Sequence, residues 1–182
     1  MVSEMHKLEA AERNSPPAGH GISIGDRVEF TARLRARLKG KVLLVGIGNT
    51  LRGDDGAGSK LIELLDGKVD ADLLDVGEVP ESYTGRILAG GADTVVLLDA
   101  ADWGAAAGQW AILEPQEFAD RALSTHQLSL RLLCRFIQEN SSAEVLALGI
   151  QAAQIGLGKA MSAAVSESVQ NLAVVLGEIM GD

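Results

Sequence analysis

Apolar residues come along this chain in two rhythms. Val42–Ile47 (VLLVGI), Val95–Asp99 (VVLLD) and Val145–Ile150 (VLALGI) are short runs rich in Val, Ile and Leu, the pattern of strands covered on both faces. Between them, apolar positions recur every three or four residues, which is the spacing of one helical face. Gly56–Leu65 predicts a helix with Ala57, Leu61 and Leu64 inward. The stretch 125–139 predicts one with Leu130, Leu133, Cys134 and Ile137 on a shared face. A last helix, about 160–179, carries Val165, Val169, Leu172, Leu176 and Ile179 on one stripe. Shorter signals predict strands at Leu73–Val76 and Gln109–Leu113, the second at an edge, and helices at Tyr83–Ala89 and Pro115–Ala122. Asp26–Leu38 (DRVEFTARLRARL) reads two ways. Val28, Phe30, Ala32, Leu34, Ala36 and Leu38 alternate as in a strand, yet Thr31, Leu34 and Leu38 share a helical face. The Ala, Leu and Arg content tips the reading to a helix, ended by Gly40. Residues 1–25 are polar and contain Ser15-Pro16-Pro17-Ala18-Gly19; they predict a flexible tail ahead of a single domain over 26–182. Buried runs alternating with amphipathic helices mean a three-layer α/β sandwich, with a mostly parallel twisted sheet of about five strands flanked by helices.

Composition narrows the function classes. Hydrophobic residues make up 47% of 182, enough for one substantial core, while aromatics are only 3%, so Ala, Leu, Val and Gly carry the packing. A net charge of −9 argues against a nucleic-acid face and against an anionic membrane surface. No apolar stretch approaches the roughly 20 residues needed to cross a bilayer. The first twenty residues (MVSEMHKLEAAERNSPPAGH) hold acids and no apolar centre, unlike a secretory signal. One cysteine, Cys134, cannot form an internal disulfide. A cytoplasmic location is expected, and a monomer is favoured.

In parallel sheets ligands bind beyond the carboxyl ends of the strands, and ionisable residues fall there. Asp54 and Asp55 stand in the glycine-rich loop NTLRGDDG after the first buried run. Asp75 ends the second strand, in LLDVGE. Asp99 closes VVLLD, and His126 opens a helix in STHQ. Each has a plain structural reading as well: Asp54 or Asp55 as a first-turn acid, Asp75 and Asp99 as turn residues, His126 as a helix-start residue. Cys134 lies on an apolar face and reads as core; Trp103 and Trp110 read as packing or rim. Taken together, two carboxylates and an imidazole at one edge suit a divalent transition ion with open positions. The dinucleotide fingerprint is incomplete, because Leu51 stands where its third Gly belongs, and the phosphate-loop Lys-Ser/Thr pair is missing. A receiver-like phosphoacceptor domain shares paired acids and an Asp after a later strand. Here, however, the acid pair lies far past the strand, and no Lys follows Val145–Ile150, which leads into Gln151.

The block GIGNTLRGDDGAG resembles the opening signature of the hydrogenase maturation endopeptidases, which trim the large subunit of nickel-iron hydrogenases. DVGEVPESYTG (75–85), LLDAADWG (97–104), STHQLSL (124–130) and LGIQ (148–151) are similar to the family's later blocks, in order, so the resemblance runs from about 42 to 160. THQLSL and LGIQ look most like the branch serving formate-hydrogenlyase-type and coenzyme F420-type hydrogenases. The resemblance implies an endopeptidase that removes the C-terminal extension of a hydrogenase large-subunit precursor after nickel insertion. It implies Asp55, Asp99 and His126 as the metal-contacting catalytic set, with the nickel supplied by the substrate. Asn49, Gly53, Asp54, Gly56, Asp75 and Glu78 are expected to line the substrate path, and Gly58, with Gly53 and Gly56, to let the substrate approach the backbone. The segment before Lys41 has no counterpart in the family pattern, and after LGIQ the stretch Ala152–Gly156 lacks the Pro often found there. A non-proteolytic metal-binding maturation chaperone remains the alternative within this chemistry.

Overall fold

The computed structural model describes residues 24–113 and 127–181. The strands are β1 Val42–Ile47, β2 Asp72–Gly77, β3 Thr94–Ala101, β4 Trp110–Leu113 and β5 Glu144–Gln151. The helices are α1 Ile24–Arg37, α2 Ala57–Leu65, α3 Thr84–Ala89, α4 Gln127–Asn140 and α5 Ala163–Met180, and single 3-10 turns occupy Asp54–Gly56 and Pro80–Tyr83. The helix expected at Pro115–Ala122, the first two residues of the one expected at 125–139 and nearly all of the expected tail lie outside the described residues.

The sheet has the order β2-β1-β3-β5-β4. Its first four strands are parallel, and β4 runs antiparallel on β5 at the edge. Gly46 lies opposite Asp75 on one side and Leu98 on the other, and Asp99 lies opposite Gly149. The acidic strand ends therefore emerge side by side on one edge.

Strand residues alternate between two apolar layers. Val42, Leu44, Val96, Leu98, Leu146 and Leu148 face α1, α2 and α5, contributing to a core with Leu34, Leu61, Leu65, Val165, Val169, Leu172 and Leu176. Leu43, Val45, Ile47, Val95, Leu97, Val145 and Ala147 face α3 and α4, packing on Ile87, Leu130, Leu133, Cys134 and Ile137. Each fully buried aliphatic side chain stabilises the fold by about 1.5–3 kcal/mol. Leu64, expected inward, is only partly covered; Ile62 and Leu65 complete the inner face of α2 instead.

One contact sets the height of α2 over the sheet. A Cβ on Gly58 would run into the carbonyl oxygens of Leu98 and Ile47, and one on Gly46 would strike Ile62 and the Gly58 carbonyl. Two glycines facing each other let helix backbone rest on strand backbone. That drop brings the loop ahead of α2, with Asp54 and Asp55, down onto the end of β3.

Candidate active site

The loop after β1 folds on its own polar groups. Gly48 takes φ +125°, a conformation natural only to glycine, and a Cβ there would collide with the Asp55 carbonyl. Asn49 Oδ1 accepts from Leu51 N–H (2.8 Å), and Arg52 N–H donates to the Asn49 carbonyl (3.0 Å), an Asx-type turn. Asn49 N–H in turn donates to Asp55 Oδ2 (3.0 Å). Neither acid caps α2; the residues at the N-cap positions of the 3-10 turn and of α2 are Gly53 and Gly56, with no side-chain cap bond.

The two adjacent acids have different jobs. Asp54 is fully buried. Its Oδ2 accepts from Ala153 N–H (2.8 Å), Gln154 N–H (2.8 Å) and Ser162 Oγ–H (3.0 Å), and its Oδ1 from Ser162 N–H (2.6 Å). Asp54 N–H also donates to the Gln154 carbonyl, and Gly53 pairs antiparallel with Ile155. Expected on the substrate path, Asp54 instead spends both oxygens on the β5–α5 connection, including the cap residue of α5. Asp55, also buried, is near enough to Asp99 of β3 for its charge to be felt there.

Asp99 shares its parity with Val95 and Leu97 and so points to the α4 side of the sheet. It is 4% exposed, and among the described residues its Oδ1 has no hydrogen-bond partner. Burial pushes its carboxyl well above the usual carboxylate range, the negative charge of Asp55 pushes it further, and a hydrogen bond with the Ala100 backbone opposes the rise only in part. Two carboxyls this close, one with an orphaned oxygen, share a need for a cation or a proton. The third expected member, His126, lies outside the described residues; among those residues, no three His, Cys, Asp or Glu side chains form a metal-holding group. Helix α4, which starts at Gln127, packs on β5 and on the 3-10 turn that follows β2.

Beside the pair runs a cleft of about 240 Å³ lined by Asn49, Thr50, Ser59, Asp75 and Glu78 among others. Asp75 and Glu78 therefore both line this cleft. Asp75 Oδ1 accepts from Ser59 Oγ–H (2.8 Å) and Gly77 N–H (3.2 Å). The glycines differ from expectation. Gly53, Gly56 and Gly58 are buried, and the space a Cβ would need is filled by this chain's own Gln154, Thr50 and Leu98 backbones. They serve internal close approach rather than an incoming peptide.

Three residues escaped sequence reasoning. Arg52 Nε lies 3.9 Å from Asp55 Oδ2 and 3.7 Å from Glu78 Oε1; a lone cation before an acid pair was the signal. Ser59 links the Gly48 carbonyl to Asp75. Gln151, closing β5, accepts from Trp103 and Ala105 N–H groups and donates to Asp102 Oδ1, fixing the loop after β3. Cys134 is core, as expected: burial pushes its thiol up to about 12, so it supplies no thiolate at neutral pH.

Comparison with known proteins agrees with this architecture. The hydrogenase maturation protease model of the HycI type matches residues 58–178, opening just after the acid pair. The [NiFe] hydrogenase maturation protease HycI of Thermococcus kodakarensis KOD1 superposes with a TM-score of 0.74 at 35% identity, over 81% of this chain and 97% of that one. The solution structure of the endopeptidase HycI of Escherichia coli gives 0.68 at 26%, over 76% and 90%. The hydrogenase 3 maturation protease of Escherichia coli K12 is 29% identical over 133 residues, 71% of this chain and 85% of the relative. With a matching model across more than half its length and the same sheet beneath its acid pair, the chain belongs to the hydrogenase maturation protease family.

Proposed function

We propose that this protein is an endopeptidase that removes the C-terminal extension of a nickel-iron hydrogenase large-subunit precursor once nickel is in place. Asp55, Asp99 and His126 contact the nickel that the precursor's own cysteines hold. The observation that supports this most is Asp99 Oδ1, buried, without a partner among the described residues and facing the charge of Asp55. Such an oxygen is costly unless a cation or proton meets it. Two carboxylates and an imidazole are a donor set that a divalent transition ion accepts. Reading the metal as part of the substrate gives it a recognition role: a precursor without nickel lacks the anchor.

Within this reading the two acids divide the work. Asp55, fixed by the Asn49 N–H, offers a steady oxygen. Asp99 has a buried carboxyl oxygen without a partner among the described residues; a cation beside it favours the ionised form, which can accept a proton. It takes one from the attacking water as the oxygen adds to the scissile carbonyl, and returns it to the amine of the departing peptide. A phosphoacceptor role for Asp99 is disfavoured by its burial and by Gln151, whose amide is committed to the loop after β3.

The test is the intact mass of a purified large-subunit precursor incubated with this protein, with and without nickel loading. Loss of a C-terminal peptide from the loaded form alone is expected. Asp55→Ala, Asp99→Ala and His126→Ala are each expected to abolish cutting with the fold retained. Normal processing by the His126 variant would sink the metal-contact model.

A further inference from the structure

Arg52 is pinned through its backbone: its N–H donates to the Asn49 carbonyl (3.0 Å) and its own carbonyl accepts from Gly156 N–H (3.1 Å). Its side chain then lies between Asp55 and Glu78, with Nε at 3.9 and 3.7 Å from their oxygens. Those are charge contacts, too long for hydrogen bonds. Nε is buried and, among the described residues, has no hydrogen-bond partner. A guanidinium carries five N–H donors in a flat fork, and among the described residues this one donates none of them. Asp55 Oδ2 already accepts from Asn49. The two carboxylates hold the cation at the mouth of the Asp55–Asp99 centre while leaving its fork open to an oxygen from another molecule.

We propose that Arg52 is a catalytic residue of the peptide cut, donating to the oxygen of the scissile carbonyl as that oxygen turns negative. The inference rests on the endopeptidase reading above. When water adds to the carbonyl carbon, the carbon–oxygen π pair moves onto oxygen, and the proton leaves for Asp99. The new negative charge needs a fixed donor that does not itself give up a proton, and a guanidinium is always charged. The same fork makes a weaker bond to the neutral carbonyl of bound substrate, so its effect falls on the chemical step.

The experiment measures kcat and KM for cutting of nickel-loaded precursor by wild type, Arg52→Ala, Arg52→Lys and the double variant Arg52→Ala/Glu78→Gln. Melting temperatures confirm folding. Loss of one such donor lowers kcat about a hundredfold or more with KM little changed. Arg52→Lys, a point charge without the fork, recovers only a small part, and added methylguanidinium partly restores Arg52→Ala. Three results would overturn the assignment: wild-type kcat in Arg52→Ala, a raised KM at unchanged kcat, or full recovery in the double variant. The last would mean that Arg52 only screens surplus negative charge. A wild-type protein that leaves the loaded precursor whole refutes the endopeptidase reading itself and takes this assignment with it.

Discussion

Asp54 offers the sharpest test of how the site is built. The carboxylate is fully buried and accepts four hydrogen bonds from Ala153, Gln154 and Ser162. Each hydrogen bond to a charged group contributes about 1.5–3 kcal/mol when considered alone. The four share one carboxylate and are not additive, so Asp54→Ala is expected to cost about 3–5 kcal/mol, as for removing one partner of a buried charge. That approaches the whole stability of a marginal domain, about 5–15 kcal/mol. Asp54→Asn keeps the shape but points an NH₂ at donors, and should cost about 2–3 kcal/mol. Urea unfolding followed by tryptophan fluorescence reads this well, because Trp103 N–H bonds to Gln151 beside the same connection. The midpoint should fall with little change in slope. A loss of stability under about 1 kcal/mol, together with lost cutting, would refute the clamp. Asp54 would then belong to the substrate path.

Asp99 and Gly58 extend the argument. A folded-state pKa raised by burial and by Asp55 means that folded Asp99 keeps a proton the unfolded chain gives up; its stabilising share is full below about pH 4 and is lost as pH rises through the folded value. Asp99→Asn cannot ionise, so it should be more stable than wild type at neutral pH by about 1 kcal/mol or more. Thermal melts should show the gap closing as pH falls to about 4; a gap independent of pH would dismiss the raised carboxyl. Gly58→Ala places a methyl against the Leu98 and Ile47 carbonyls and should cost about 3 kcal/mol or more, at the upper end for overpacking. Wild-type melting of that variant would show that α2 has room to lift.

The strands were legible because buried parallel strands leave unbroken apolar runs, and each lies within about two residues of its expected bounds. The stretch at 26–38 shows where alternation misleads. A strand would turn Val28 and Leu34 to one side, whereas Val28 is 65% exposed and Leu34 fully buried, as a helix demands. Asp55 and Asp99 could be grouped because strand ends of a parallel sheet share an edge. The role of Asp54 was hidden: three of its four bonds come from backbone N–H groups, which carry no side-chain signature, and its partners are 99–108 residues away. Gly53, Gly56 and Gly58 looked like room for a substrate because a sequence cannot say whose backbone approaches. Here it is the chain's own.

That separation in sequence has a consequence for how the protein becomes competent during its synthesis. The acid loop is complete early, yet the groups that hold Asp54 arrive a hundred residues later, at the close of β5 and the start of α5. Contacts of such long range are made late in folding, after the cost of closing the loop between them has been met. A chain still on the ribosome, or one truncated before Ser162, has both acids but no fixed place for them. Such fragments should be inert rather than weakly active, so that cutting begins only with the finished molecule.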